Sequence, residues 1–329
     1  MGQPSPPIRY LAAADVEACL PGVDERLELA ARAMLALHRG VAEMPPKIGV
    51  HPRPGALMHA MPAWLRDEDL AGVKWVAAYP DNRKAGLPSI HALVVLNDAA
   101  TGVPTAVMEA AGLTAARTAA VSGLAIRLVA PARVGRVALL GAGVEARSHL
   151  PVLGFVRPGL ELVIYDRHPE RAEELASLAQ KVEGIERARP AGSAREAVEG
   201  ADLVVTVATL TRDQALADDW LEPEAVVVAV DFATYVSSET ARRAEAFAVD
   251  DRAQFLAYRE AGYFDGYPEP TTTLGELLGD EPPGAPSAGG GRSGPVLVTH
   301  LGVGLADVLF ADAIHRRAET LGAGTLLPR

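Results

Sequence analysis

One short segment near the middle of the chain constrains the fold more than any other. The apolar residues 137–140 lead directly into a turn and the start of a helix, formed by Gly141, Ala142, Gly143, Val144, Glu145 and Ala146. Such a turn directs free backbone N–H groups and the positive end of the helix dipole at a bound phosphate. Gly141 would permit the tight turn, Gly143 the approach of a diphosphate, and Ala146 close helix packing. The pattern predicts a dinucleotide-binding unit of the Rossmann type.

The next apolar segment gives this unit a nucleotide preference. LVIYD ends at Asp166, 23 residues after Gly143 (166 − 143), near the offset of about 20 expected for the acid that binds the ribose hydroxyls. An acid there repels a 2′-phosphate and favours NAD, although Arg167 and His168 soften the preference and leave NADP as an alternative. The competing interpretation is a flavodoxin-like or other α/β domain that binds no dinucleotide.

A third strand segment, DLVVTVAT, places further residues at the expected cofactor edge of the sheet. On position alone we predict cofactor contacts from Thr206, Val207 and Ala208.

The length of the chain and its pattern of apolar and helical segments predict two domains. The 329 residues exceed one ordinary core. From about residue 136 on, short apolar runs alternate with helical segments, as in a doubly wound parallel sheet. Before that, runs punctuated by proline are typical of a mixed or antiparallel sheet. A long helix is expected over residues 113–129.

Composition excludes several classes of function. A net charge of −11 argues against nucleic-acid and anionic-membrane partners, which require clustered Lys and Arg. A single cysteine, Cys19, forms neither an intramolecular disulfide nor a thiolate cluster, and no motif predicts a metal site. No segment resembles a membrane span or a signal peptide, so we expect a cytoplasmic protein with a small-molecule substrate.

Several segments carry a resemblance over nearly the whole chain, among them GVKWVAAYPDN, LTAARTAAVSGLAIRLVAP, LLGAGVEARSHL and HLGVGLADVLFADA. They resemble the ornithine cyclodeaminase and mu-crystallin family. The resemblance implies an α/β protein with a discontinuous α+β substrate-binding and dimerisation domain, residues 1–117 completed by 312–329. This domain would enclose an NAD-binding Rossmann domain, residues 118–311, with a doubly wound parallel sheet. It also implies a homodimer with substrate between the domains.

The same resemblance assigns roles to side chains of the first domain. Lys74 matches the family lysine at the reaction centre, and Arg117 matches the arginine that binds the substrate carboxylate. Ser89 falls where many members place a hydroxyl near that carboxylate, and Lys47 stands where the family often has arginine. His91, two residues after Ser89, is expected on the same strand face. Without the resemblance, Lys74 also fits a solvent-facing strand lysine, Arg117 a helix ion pair, and His91 a structural role.

One further segment, a turn, matches the family pattern, and two positions differ from it. His300 and Gly302 fall in the turn that the family places beside the nicotinamide. Ornithine cyclodeaminases have glutamate where His59 stands and aspartate where Ala233 stands. Asp231 would replace the second acid, and His59 is a candidate acid or base, or else a buried histidine bonded to backbone. Both departures weigh against cyclodeamination of ornithine.

The residue types present suit one chemistry. Hydride exchange between nicotinamide and an amino acid requires a carboxylate clamp and a proton carrier in a dry pocket. The planar guanidinium of Arg117 suits the clamp. Lys74, in an apolar strand that would lower its pKa, suits the proton carrier. Asp307 is expected to cap the last helix rather than react.

We therefore predict an NAD(P)-dependent oxidoreductase that interconverts an amino acid and its imine. Two alternatives stay open: an ornithine cyclodeaminase-type lyase that recycles its NAD, and a non-catalytic NAD(P)H-binding protein of the mu-crystallin kind.

Overall fold

The chain forms two compact units. The computed structural model describes residues 6–208, 214–231, 235–279, 284–286 and 291–329. Unit 1 comprises Met1–Arg117 and Gly302–Arg329, and unit 2 comprises Thr118–Leu301. The chain thus returns to the first unit at Gly302 rather than at the predicted residue 312. The reason is that the last helix packs on the unit 1 sheet from its first residue, Gly304, where an added Cβ would lie 2.8 Å from the Met61 carbonyl oxygen.

Unit 1 is built on a mixed sheet. Its described strands are β1 (Ile8–Leu11), β2 (Ala42–Glu43), β3 (Ile48–Val50), β4 (Leu57–Leu65), β5 (Leu70–Ala78), β6 (Ile90–Asp98), β7 (Pro104–Glu109) and β16 (Thr325–Leu327). Their order is β16-β1-β7-β6-β5-β4-β2, and β3 also pairs with β4. The helices are α1 (Ala13–Ala18), α2 (Val23–His38) and α10 (Gly304–Leu321), while α3 (Ala111–Val129) begins here and continues into unit 2.

The strands β4 to β7 bury one face. Lys74 pairs with Met61 on one side and with Val94 on the other. Val94 in turn pairs with Met108. All four side chains are buried, and α10 packs on β4, β5 and β6. Because strand side chains alternate between faces, the position of Lys74 in this row directs its ammonium toward the helix side of the sheet.

The other face of the same strands is apolar and exposed. Trp75 pairs with Ala60 and Leu93, and Ile48 also pairs with Ala60, so these residues form one row across four strands. Trp75 is 42% exposed, Leu93 43% and Ile48 64%. We call this surface of Ile48, Val50, Trp75 and Leu93 the outer face. Contiguous exposed apolar surface of this kind marks an interaction site.

Unit 2 confirms the predicted doubly wound α/β sheet. Its described strands are all parallel: β8 (Arg136–Leu140), β9 (Leu160–Tyr165), β10 (Ile185–Pro190), β11 (Leu203–Thr206), β12 (Val226–Ala229), β13 (Ala246–Val249), β14 (Thr272–Thr273) and β15 (Val296–Thr299). The order is β10-β9-β8-β11-β12-β15-β13-β14. The strand order therefore reverses between β8 and β11, the place where such sheets bind ligands at the carboxyl ends of their strands.

The connecting helices of unit 2 are α4 (Val144–Val156), α5 (Pro169–Ala179), α6 (Ala194–Val198), α7 (Ser238–Arg243), α8 (Arg252–Glu260) and α9 (Leu274–Leu277). Within the described ranges, no helix has both the length and the apolar character that crossing a bilayer requires.

Candidate functional site

The glycine turn of unit 2, residues 141–143, has the geometry that its sequence predicts. Gly141 has φ +111°, a conformation that favours glycine. An added Cβ there would lie 2.8 Å from the Val207 carbonyl oxygen. Val207 also donates its backbone N–H to the Leu140 carbonyl at 2.9 Å. The end of β11 therefore packs directly on the turn, and Gly141 makes this approach sterically feasible.

The start of α4 has the features of a diphosphate site. Gly143 is the N-cap residue of α4, and no atom of its surroundings lies within 4 Å of an added Cβ. The N–H groups of the first helical turn have no partner within the helix, and Val144 is 72% exposed. Ala146 is buried on the opposite side, where its small side chain allows α4 to pack on the sheet. Residues 141–146 would hold the phosphates of a dinucleotide.

Asp166 ties the end of β9 to this turn. Its Oδ2 accepts from the Ala142 N–H at 2.8 Å, and its Oδ1 accepts from the His168 N–H at 2.9 Å. A carboxylate offers about four lone-pair sites, so further acceptor capacity is left for ribose hydroxyls. Arg167 is exposed.

Asp231 has a structural role at the end of β12. Thr206 donates its hydroxyl to Oδ1 at 2.5 Å, and the Ala208 N–H donates to Oδ2 at 3.2 Å. Burial raises the pKa of Asp231 to about 6, although both hydrogen bonds oppose the shift. The carboxylate thus connects β12 to β11, and its part in proton transfer stays a prediction. Ala233, the second departure from the family pattern, lies outside the described residues.

A buried serine connects two histidines, which the sequence did not predict. Ser122 on α3 lies 2.8 Å from Nε2 of His149 on α4 and 2.8 Å from Nε2 of His300, which follows β15. Nδ1 of His149 lies 2.6 Å from the Glu145 carbonyl oxygen. All three side chains are buried. We call Ser122, His149 and His300 the serine-centred network.

Donor and acceptor capacity fixes the direction of these hydrogen bonds. A carbonyl oxygen only accepts, so Nδ1 of His149 carries hydrogen and donates to Glu145. Burial lowers the pKa of His149 to about 4, so its ring is neutral near pH 7 and its Nε2 accepts from the Ser122 hydroxyl. The serine oxygen can then accept only from Nε2–H of His300. The network therefore selects one tautomer for each ring.

Unit 1 contains a buried ion cluster of Lys74, Arg117 and Asp307. Lys74 Nζ and Arg117 Nε both donate to Asp307 Oδ1, at 2.7 and 2.9 Å. Asp307 is 0% exposed and Lys74 1%. The expectation that Asp307 caps its helix is wrong: the N-cap residue is Val303, and Asp307 lies one turn further on, where it faces the two cations.

Asp307 is ionised in this setting. Burial alone would raise the pKa of its carboxyl group, but the charges of Arg117 and Lys74 and their hydrogen bonds hold this pKa below its usual value. A buried charge is tolerated only when it is paired and hydrogen-bonded. Asp307 therefore holds the ammonium and the guanidinium in fixed positions inside the unit.

His59 shares the buried face of the sheet with Lys74. It pairs with Val76, one position along that face from Lys74, and it is buried. Burial, with the nearby charges of Lys47, His51 and Lys74, lowers its pKa to about 4. A neutral His59 near pH 7 accepts or donates hydrogen bonds but carries no charge. Half-buried Lys47 precedes β3 and is close enough to affect this histidine electrostatically.

Two predicted substrate-binding residues lie apart from the ion cluster. The Ser89 hydroxyl accepts from Arg83 Nε at 2.9 Å. His91 is exposed and pairs with Ala77, which places it on the sheet face opposite to Lys74. In the part of the chain that the structure describes, no hydrogen bond joins either residue to the cluster. One residue of strand register decides which face a side chain occupies, and the part of His91 in substrate binding stays a prediction.

Sequence reasoning missed three residues that the structure brings into these arrangements, namely Ser122, His149 and the ion-pairing role of Asp307. For Asp307 a signal exists: it is the one charged residue in the otherwise apolar stretch GVGLADVLFA. A lone acid at such a place is seldom buried without a cation. Ser122 and His149 offer no such signal. Among the described residues no group of His, Cys, Asp and Glu side chains could hold a metal ion.

The pKa of His149 predicts an acid-sensitive contribution to folding. Unfolded His149 takes up a proton near pH 6.5 and folded His149 near pH 4, so stability falls as the pH drops through this interval. The shift (6.5 − 4) corresponds to roughly 3 kcal/mol. In urea unfolding at several pH values, His149→Gln should flatten this slope. His38→Gln, at an exposed histidine, is the control, and a slope unchanged in His149→Gln would contradict the prediction.

Comparison with known proteins identifies the family of this chain. A model of the ornithine cyclodeaminase/mu-crystallin family matches residues 10–319. The nodulation efficiency protein NfeD of Rhizobium meliloti is 36% identical over 321 residues, which cover 98% of each chain. The structure of Thermococcus litoralis Δ1-pyrroline-2-carboxylate reductase with NADH and L-proline superposes with a TM-score of 0.86 at 28% identity, over 97% of this chain and 100% of that one.

An archaeal alanine dehydrogenase dimer with bound NAD gives a TM-score of 0.83 at 26% identity, over 97% of this chain and 98% of that one. The family model, the full-length relative and the two structures agree with the resemblance of the sequence segments. This protein belongs to the ornithine cyclodeaminase/mu-crystallin family.

Proposed function

We propose that this protein is an NAD-dependent oxidoreductase that interconverts an α-amino acid and its imine. The observation that carries the proposal is the ion cluster, in which the carboxylate of Asp307 pairs with the buried side chains of both Lys74 and Arg117. A buried arginine beside a buried lysine supplies a carboxylate receptor and a proton carrier together. Similar proteins support the reaction class: one is a reductase solved with NADH and L-proline, another an alanine dehydrogenase with NAD.

Unit 2 supplies the cofactor site of this proposal. Residues 141–146 would hold the diphosphate, and Asp166 the ribose hydroxyls. Thr206 and Ala208 shape the neighbouring strand end through Asp231. When bound, NAD supplies the acceptor or donor of hydride. The acid at position 166 favours NAD over NADP, because a 2′-phosphate would meet its negative charge.

Unit 1 supplies the substrate groups. Arg117 binds the carboxylate, since a guanidinium pairs with it through two parallel hydrogen bonds. Lys74 exchanges a proton with the substrate nitrogen as the imine is reduced or the amine oxidised. His59, neutral and on the same sheet face, contacts the substrate by hydrogen bonding. We propose small α-imino and α-amino acids as the substrates, by analogy with proline and alanine in the similar proteins.

Steady-state assays test the reaction class. Cyclic and open-chain α-imino acids are tested with NADH and NADPH, and α-amino acids with NAD, by following the absorbance of the reduced cofactor. We expect turnover of at least one imino acid with NADH. Ammonia release from ornithine without net NADH would indicate a cyclodeaminase instead. Tight NADH binding with no turnover of any substrate would indicate a non-catalytic binding protein.

Substitution of Lys74 tests the proton carrier. Lys74→Arg keeps a cation beside Asp307 but replaces an ammonium, which can give up a proton, with a guanidinium, which does not. We expect kcat to fall about 10²- to 10⁴-fold with an unchanged Kd for NADH by fluorescence titration. Lys84→Arg is the control, because Lys84 is exposed and pairs with Asp81. Wild-type turnover in Lys74→Arg would refute the assigned role.

We further propose that the outer face is a homodimer interface. An exposed apolar sheet face is suited to a second copy of itself, and the similar alanine dehydrogenase is a dimer. Light scattering should report a dimer for the wild type and a monomer for Trp75→Lys/Leu93→Lys, since two lysines would be buried in the interface. Leu178→Lys, at a partly exposed leucine of unit 2, should stay dimeric. A dimeric double variant would rule out this face.

A further inference from the structure

The guanidinium of Arg117 is used at one edge only. Its Nε donates to Asp307 at 2.9 Å, and the described residues supply no other hydrogen bond to this side chain. A guanidinium can pair with a carboxylate along the edge that contains Nε or across the terminal fork of Nη1 and Nη2. Asp307 occupies the first of these, so a ligand carboxylate is left with the fork.

Gly302 lies directly in front of that fork. An added Cβ on Gly302 would be 2.4 Å from Nη1 and 2.7 Å from Nη2 of Arg117, and 2.8 Å from Cζ. Because this position is nearer to both terminal nitrogens than to the carbon between them, it lies on the outward side of the fork. A carboxylate paired with Nη1 and Nη2 approaches from the same side. Any side chain at position 302 would therefore compete with a ligand for this space.

We propose that Gly302 is a specificity-determining residue and Asp307 a positioning residue for the substrate carboxylate. Asp307 turns Arg117 so that its terminal fork is the receptor, and the missing side chain of Gly302 leaves this fork open. The inference rests on the proposed function and extends it. It also moves Gly302 from the cofactor, where the family resemblance placed it, to the substrate.

Charge defines the class of ligand. Within the ion cluster, Lys74 and Arg117 carry two positive charges and Asp307 one negative charge, so the cluster has one positive charge in excess. One carboxylate neutralises it, and a second would be buried without a partner in the cluster, which is costly. The cluster therefore neutralises one ligand carboxylate, and a second carboxylate would need a cation outside the cluster.

The first experiment substitutes Gly302 and uses pyrrole-2-carboxylate, a planar monocarboxylate, as the probe. In Gly302→Ala the methyl group either blocks the fork or displaces the guanidinium, because its ideal position overlaps the terminal atoms of Arg117. We expect the Kd of pyrrole-2-carboxylate on the NADH-bound enzyme, and KM for the imino acid, to rise at least about tenfold. The Kd of NADH should not change. Pyrrole-2-carboxamide, which lacks the charge, should bind the wild type weakly and lose little in the variant.

Gly322→Ala is the matched control. Gly322 also has positive φ, +65°, in unit 1, but no atom lies within 4 Å of its added Cβ. The Gly322→Ala variant therefore has a similar backbone strain to Gly302→Ala, but its methyl group obstructs no neighbouring side chain. It should bind the carboxylate as the wild type does. An unchanged Kd for the carboxylate in Gly302→Ala would overturn the inference, as would an equal loss for carboxylate and carboxamide. A weaker Kd for NADH with unchanged KM would return Gly302 to the cofactor.

A second variant keeps the inference falsifiable if Gly302→Ala does not fold. Asp307→Asn preserves the shape and acceptor oxygen of the side chain but raises the net charge of the cluster by one. We expect the affinity ratio of pyrrole-2,5-dicarboxylate to pyrrole-2-carboxylate to increase at least about tenfold. A merely structural Asp307 would weaken both ligands alike. Because these are binding measurements, failure of the wild type to turn over any imino acid would refute the proposed function separately.

Discussion

The shared carboxylate of Asp307 is the interaction on which the buried charges of unit 1 depend. It brings together Lys74 of β5 and Arg117 of α3, which are 233 and 190 residues away from it in sequence. Neither cation would be stable in the interior alone, because burial of an unpaired charge costs several kcal/mol. One acid on α10 therefore holds two buried cations of unit 1 in place.

In unit 2 the candidate cofactor site is built from backbone groups. Its glycine turn would need no charged side chain to hold a phosphate, because backbone N–H groups and the dipole at a helix N-terminus attract phosphate. Asp166 holds the turn from the β9 side, and Val207 packs on Gly141 from the β11 side. The candidate site of unit 1 thus consists of charged side chains, and that of unit 2 consists mainly of polar backbone groups.

The serine-centred network adds a third kind of constraint. The Glu145 carbonyl fixes the tautomer of His149, and the single hydroxyl hydrogen of Ser122, donated to His149, then fixes the tautomer of His300. The network connects α3, α4 and the residue that follows β15. It gives these elements a fixed relative position through directional bonds rather than through apolar packing alone.

The sequence by itself determined the local units: the strand, turn and helix around Gly141 and the acid at Asp166. Each of these features extends over only a few residues, so backbone geometry and side-chain size decide the local structure. Tertiary structure alone decided which face each strand residue occupies, so that Lys74 is buried while His91 is exposed, and which acid meets the buried cations. The physical reason is that strand register and charge pairing depend on partners far away in the chain, and no local pattern encodes the identity of those partners.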